Sequence, residues 1–255
     1  MSTPSTSPVP ENHAPELSQP ALSEPQRLVN TFVAPSRTFL DIRRNASWWV
    51  PLVVMSVVSI GFLLTVEKKV GWDQVAHNMM ASNSRIQQLP ADQQERIINT
   101  TATGLKFSIY LSPIFLLLYA AITTVVLWAS FNFGMDAQIE FSRAMAIVLY
   151  GWLPAIVGSI LGIITLGFGN PEGFLLENPV GTNPAYFLDF NTTSKLVYVM
   201  LSSLDVIVLW CAVLMGIGFA LNAKKKISTG AGVSMVLGWY LVYKLIGASW
   251  AAMRG

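Results

Sequence analysis

Residues 107–131 read FSIYLSPIFLLLYAAITTVVLWASF, twenty-five positions without one charged side chain. A bilayer hydrocarbon core of about 30 Å needs roughly 20 apolar residues wound as helix. In lipid the backbone finds no water to bond, so a segment of this kind crosses as helix. Pro113 does not change that, because membrane helices tolerate proline where neighbours satisfy the freed carbonyl. Four further segments of similar length lie on either side of it. Residues 47–66 and 144–168 are also uncharged, and their Pro51 and Pro154 fall under the same tolerance. Residues 196–221 are interrupted only by Asp205, and residues 231–253 only by Lys244.

The composition of the whole chain agrees. Of 255 residues 53% are hydrophobic and 12% charged, about half the charge of an ordinary soluble domain. A chain of this length cannot bury five such runs in a water-soluble core. The expected fold is all-α, a polytopic bundle of five transmembrane helices. A formal net charge of +2 with no dense basic patch gives no ground for nucleic-acid binding. A single cysteine, Cys211, excludes an internal disulfide framework and a cysteine-based metal cage. Within an apolar run it behaves as a small hydrophobe. No cofactor is implied.

Residues 1–26 hold six of the 14 prolines, with Ser, Thr and Glu and little that is apolar. Such a segment cannot offset its ordering entropy by burial, so a disordered cytoplasmic tail is expected there. It has neither the basic start nor the apolar core of a signal peptide, so the first span is expected to serve as the insertion signal and be retained. The membrane domain is then 27–253. Orientation follows from basic residues near the spans. Arg27, Arg37, Arg43, Arg44, Arg143, Lys224, Lys225 and Lys226 fall on one side of a five-span topology. Lys68, Lys69, Arg85, Arg96, Lys106, Lys195 and Arg254 fall on the other, mostly in one loop interleaved with Glu67, Asp73, Asp92 and Glu95. The compact clusters decide for a cytoplasmic N-terminus and an outer C-terminus, with Arg37, Arg43, Arg44, Lys224, Lys225 and Lys226 at lipid headgroups. Trp48, Trp49, Trp72, Trp128 and Trp250 lie near span ends, where an indole can be partly wet, and Trp239 lies within the fifth span. Trp152 and Trp210 are expected to pack.

Between the spans, Pro35 favours a helix start. A helix over 35–44 would turn Phe39 and Ile42 to lipid and Arg37 and Arg44 to phosphate, an interfacial amphipathic helix before the first span. Residues 72–104 divide at Leu89-Pro90 into two helical stretches, read as a hairpin on the outer surface. Residues 169–195 carry Pro171, Pro179, Pro184, Gly173 and Gly181, which is turn chemistry.

The two charges inside the spans are the sharpest candidates for function. Each stands nine residues from the outer end of its helix, which places both about 13 Å deep at 1.5 Å per residue. A charge in the bilayer costs roughly 2.5–3.5 kcal/mol on insertion scales, so an Asp205–Lys244 ion pair is expected. Such a pair could relay protons or substrate; a structural pin between two helices is the plainer use. Small residues form stripes at Gly151, Ala155 and Ser159, at Gly158 and Gly162, and at Gly230, Ser234 and Gly238. These let helix backbones approach closely, within the bundle or between copies. Asp136, Glu140 and Arg143 read as a solvated turn. The chain lacks the HExxH, GxSxG and phosphate-loop signatures, and its histidines, His13 and His77, have no evident partner. Asn99-Thr100-Thr101 and Asn191-Thr192-Thr193 fit the glycosylation triplet, which matters only in a eukaryotic secretory compartment.

The run Phe32-Val33-Ala34-Pro35-Ser36-Arg37-Thr38-Phe39, followed by Asn45-Ala46-Ser47-Trp48-Trp49-Val50-Pro51, resembles the opening segment of the bacterial Yip family. Phe141-Ser142-Arg143-Ala144 and Tyr150-Gly151-Trp152-Leu153-Pro154 look like the family's stretch at the third helix. The resemblance covers about residues 27–253. It implies five spans, a cytoplasmic N-terminus and residence in the bacterial inner membrane. Eukaryotic members bind Rab GTPases, but their acidic-aromatic cytoplasmic motif is absent from this tail, so GTPase binding is not carried over. The expectation is a non-enzymatic scaffold that organises bilayer, other membrane proteins or copies of itself. A small transporter using Asp205 and Lys244 is the alternative; an intramembrane enzyme would need a nucleophile and base that the sequence does not offer.

Overall fold

A computed structural model describes residues 20–81, 83–169, 173–189 and 192–254. Among these residues there is no strand. Two short helices come first, α1 (Glu24–Val33) and α2 (Pro35–Ile42). Ser23 and Gln26 form a capping box at the start of α1, and Pro35 opens α2 at its first position. There follow α3 (Trp49–Lys69), α4 (Trp72–Ala81), α5 (Ser84–Gln87), α6 (Ala91–Met135), α7 (Phe141–Gly151) and α8 (Ala155–Phe168). A 3₁₀ turn at Pro184–Phe187 precedes α9 (Lys195–Ser202), α10 (Val206–Asn222) and α11 (Thr229–Arg254).

Four of these elements are long and apolar enough to cross a bilayer alone: α3, α6, the α7–α8 run and α11. The α9–α10 pair is long and apolar enough for a fifth crossing if its two helices, which meet at a 55° bend, count as one span. Hydrogen bonds fix which ends belong together. Lys224 N donates to Ala137 O (2.9 Å), so α10 leaves the bundle beside the turn between α6 and α7. Asn222 Nδ2 donates to Phe39 O (2.9 Å), which brings α2 to the same end. This is the proximal end. At the distal end Asn78 Nδ2 donates to Phe174 O (2.9 Å) and Val206 N to Thr182 O (3.0 Å).

The main core is built around α7. Beyond its polar first turn the helix is apolar on every face and buried, with Ala144, Met145, Ala146, Ile147, Val148, Leu149 and Tyr150 enclosed by α6, α10 and α2. Phe131 and Phe219 stack across this core at 4.4 Å. A second core at the distal end joins Val66, Trp72, Val75 and Ala76 to Ala102, Ile109, Leu166 and Phe174.

Several boundaries differ from expectation. Of the expected tail, residues 1–19 lie outside the described residues, while Glu24–Gln26 already belong to α1. The second span is part of a 45-residue helix, about 67 Å long. The break at Leu89-Pro90 separates α4 and α5 from α6, as expected, and Pro90 is the N-cap of α6. α4 folds back on the first third of α6 as a hairpin, but that second stretch runs on into the second span as one helix. The third span breaks at Trp152, Leu153 and Pro154. α2 starts at Pro35 as expected, but Phe39 and Ile42 are fully buried against α7 and α10 rather than turned to lipid. Two bare apolar side chains gain more in a protein core that fits them than at a headgroup boundary.

Candidate functional site: an ionic clamp at one end and a helix break at the other

At the proximal end, α1 and α2 form a hairpin whose polar sides face each other. Arg27 is 2% exposed. Its Nε and Nη2 both lie 2.7 Å from Asp41 Oδ2, and its Nη1 lies 3.6 Å from Glu24 Oε1. Tyr150 Oη, on the central helix, donates to Glu24 Oε2 at 2.7 Å. Thr31 and Thr38 hydroxyls donate to Arg27 O at 2.8 and 3.0 Å. A planar guanidinium is suited to gather acceptors in this way, and the charge-assisted bonds are the strong ones. The cluster clamps α1–α2 onto α7. Asn222 secures α2 from α10, and Gly218 gives the room: a Cβ there would lie 2.6 Å from Ile147 Cγ2 and 2.8 Å from Phe39 Cδ1.

The cluster does not stand out in the sequence, because Glu24 falls within the expected tail and Arg27 counts only as one of the basic residues before the first span. The available signal was Ser23-Glu24-Pro25-Gln26, a helix-start signature. Arg37, Arg43, Arg44, Lys224, Lys225 and Lys226 are all exposed at this end. Arg44 also reaches Asp41 (3.9 Å) and Arg143 pairs with Glu140 (3.6 Å). Asp136 and Glu140 are exposed on their turn, as expected, while its backbone is pinned: Asn132 donates to Ile139 O (2.9 Å) and accepts from Ile139 N (2.8 Å), and Trp128 Nε1 donates to the same carbonyl (2.8 Å). Asp136 and Gln138 take left-handed φ values of 54° and 51° to make it.

At the distal end the apolar run of α9 and α10 breaks immediately before Asp205. The Asp205–Lys244 ion pair is not formed. Asp205 is the N-cap of α10, accepting from Ile207 N (2.9 Å) and Val208 N (3.1 Å). Its other oxygen accepts from Thr182 Oγ1 (2.5 Å) and Asn183 Nδ2 (3.2 Å). These four donors satisfy the carboxylate without Lys244. Lys244 Nζ instead lies 5.7 Å from the Tyr240 ring centroid, within cation–π range. The equal depth inferred for the two charges also fails. The eight residues of α9 would add about 12 Å if straight, but bent by 55° they add about 7 Å along α10. Tyr240 Oη donates to Ser203 O (2.9 Å), which holds the break against α11.

From Asp205 a buried amide chain runs outward. Asn183 Nδ2 donates to Asn178 Oδ1 (2.7 Å), and Asn178 Nδ2 to Tyr198 Oη (2.9 Å). Asn178 and Tyr198 line a cavity of about 550 Å³, together with Asn78, Leu166, Phe174 and Asp189.

The small-residue stripes are partly reassigned. Gly151 meets Met215, and Gly162 admits the Phe62 ring at 2.7 Å from its missing Cβ. Gly158 makes ordinary contact with Ile207 at 3.9 Å, while Ala155 is exposed and Ser159 half-buried. Gly230, Ser234 and Gly238 are exposed, and open space surrounds both glycines. The close crossing of α10 and α11 runs through Gly216 and Gly232: a Cβ on Gly216 would lie 2.5 Å from Val233 Cα, and one on Gly232 would meet the Gly216 carbonyl. Among the described residues no group of His, Cys, Asp or Glu is placed to hold a metal ion.

A family model described as the Yip1 domain matches residues 29–249. Neither the curated proteins nor the solved structures give a match.

Proposed function

This chain belongs to the Yip1 domain family, and from that premise we propose that it is a non-enzymatic multi-pass scaffold acting through the proximal end of its bundle. The observation that carries this is the clamp. The α1–α2 hairpin turns Glu24, Arg27 and Asp41 inward and leaves Arg37, Arg43, Arg44, Lys224, Lys225 and Lys226 facing outward. A rigid cationic face beside membrane-spanning helices attracts an anionic leaflet, about 1 kcal/mol for each basic residue near the surface. We place this face on the cytoplasmic side of the bacterial inner membrane, with the C-terminus outside. The basic clusters and the family support that orientation. The non-enzymatic part rests on the catalytic signatures missing from the sequence.

Reconstitution tests the reading. The protein in nanodiscs of mixed anionic and zwitterionic lipid should retain anionic lipid. Replacing Arg37, Arg43, Lys224, Lys225 and Lys226 together with Gln should abolish that enrichment while leaving the melting temperature near wild type. Equal retention by wild type and variant would count against a lipid-organising face.

A small transporter is the second reading. The observation favouring it is the broken α9–α10 helix beside the distal cavity, an arrangement in which irregular backbone lines a polar site. Its residues would be Asp205, Asn178, Asn183 and Tyr198, not the Asp205–Lys244 pair. Proteoliposome flux lost in Asp205→Asn, with the fold retained, would favour transport; unchanged flux with lower stability would leave Asp205 a helix cap.

A further inference from the structure

A helix on a water-soluble surface turns its apolar stripe to the core and its polar side outward. α1 does the reverse. Arg27 is 2% exposed and Thr31 is fully buried. Glu24 and Arg27 are tied inward, to Tyr150 and Asp41. The outer side carries Val29 and Val33, 61% and 73% exposed. Leu28 and Phe32 flank these two and are partly buried against the main core. Hiding charges and hydroxyls while baring valines gains nothing in water. It suits a helix whose surroundings are themselves apolar.

The neighbours of α1 fix its level in the bundle. Glu24 comes beside Trp48 and Trp49 at the start of α3, where indoles mark the edge of the hydrocarbon. It is also bonded to Tyr150, and the next residue, Gly151, meets Met215 of α10. Phe32 meets the Trp210 ring edge-on, with centroids 5.8 Å apart. Trp210 stands five residues from Met215 on the side away from Lys224, about 7 Å at 1.5 Å per residue. α1 therefore slopes inward from the level of Trp49, and its last turn lies deepest. α2 climbs back, with Phe39 against Gly218 and its carbonyl bonded to Asn222. Leu22 N donates to Asp41 Oδ1 (3.3 Å) where the hairpin is open. The hairpin turn suits an apolar setting. Ala34 N donates to Asn30 O (2.8 Å), Ala34 O accepts from Arg37 N (2.9 Å), and Pro35 has no N–H to place. Arg37 stands on the ascending helix, with a stem long enough to hold its guanidinium among headgroups.

We propose that α1, rather than α2, is the interfacial helix of this protein, with Val29 and Val33 set among the acyl chains of the proximal leaflet and its polar side sealed against α2 and α7. The surface it joins is already lipid-facing. Trp49, Val53 and Val57, on one face of α3, are exposed, and α3 is apolar enough to cross the bilayer. A second copy of the chain is a poorer occupant. Two valines on a ten-residue helix fall far short of the roughly 800 Å² per partner that a stable interface buries. The inference shares with the reading above only the placement of the proximal end at a leaflet; its contact is apolar and does not need the cationic rim.

Nitroxide labels on the full chain in nanodiscs, in a Cys211→Ala background, test this. The labels stand on the outer face of α1 and displace nothing. At Val29→Cys and Val33→Cys, oxygen should relax the label more than a water-soluble nickel chelate does. The depths should fall about 5–10 Å below the headgroup level, with Val33→Cys the deeper. At Asn45→Cys, exposed between α2 and α3, the nickel chelate should relax the label more. Nickel relaxing Val29→Cys and Val33→Cys as strongly as Asn45→Cys overturns the proposal, because the face would then be in water. Dipolar broadening at either valine position that vanishes on dilution with unlabelled protein also overturns it, because a second copy would then cover the face. The glutamine variant of the cationic rim separates the two claims: both valine labels should keep their depth in it, whether or not anionic lipid is still enriched.

Discussion

Replacing Arg27 by methionine would leave Asp41 buried at 5% exposure with its main counter-charge gone. Breaking a buried pair by removing one partner costs about 3–5 kcal/mol, because the survivor keeps its desolvation penalty. Arg27→Met should therefore lower the melting temperature of the purified protein sharply, and Arg27→Met with Asp41→Leu should recover most of the loss. At the other end, Asp205→Ala removes a helix cap and should cost about 1–2 kcal/mol. Lys244→Gln breaks no ion pair, so a double-mutant cycle of the two sites should give coupling below about 0.5 kcal/mol. Asp205 was conspicuous in the sequence as a lone charge in an apolar run. Its partners were not, because Thr182 and Asn183 lie in a turn-rich segment some 20 residues earlier, and only the fold brings them to the head of α10. Glu24, Arg27 and Asp41 were hidden for a different reason: each alone looks like an ordinary surface charge, and their burial depends on a hairpin closing at Ala34.

α6 shows why a membrane span and a helix are different objects. The charges Asp92, Glu95 and Arg96 set the expected limit of the second span, but the helix runs unbroken through them. α4 covers its protruding third through Val75, Ala76 and Ala102. A nitroxide placed by Asp92→Cys should relax with a water-soluble reagent, and one at Leu118→Cys with oxygen; the reverse would mean that α6 is displaced along its axis. The α10–α11 crossing is the second element-scale lesson. Gly230, Ser234 and Gly238 have the right spacing but lie on the outer side of α11, while Gly216 and Gly232 make the contact. Spacing finds a stripe; it does not tell which stripe is turned inward. Gly216→Leu should force α10 and α11 apart and destabilise by about 1–3 kcal/mol or more. Gly238→Leu should change stability by less than about 0.5 kcal/mol. Both are read as melting temperatures in detergent.

For the molecule as a whole, length and charge made the helical polytopic fold legible before any coordinate, since five apolar runs in 255 residues leave few alternatives. What they could not show is that the fourth apolar run is bent, because Ser202, Ser203 and Asp205 are three polar residues in an otherwise continuous run and nothing local forces a break there. If α9–α10 passes through the membrane despite its bend, it joins the cationic proximal face to the distal cavity within one bundle. Single cysteines in a Cys211→Ala background test it, labelled with a membrane-impermeant maleimide in right-side-out and inverted vesicles. Ser36→Cys and Lys225→Cys should react from one side only, and Asp92→Cys and Glu177→Cys only from the other. Lys225→Cys reacting from the same side as Glu177→Cys would instead make α9–α10 a re-entrant loop and leave the bundle with four crossings.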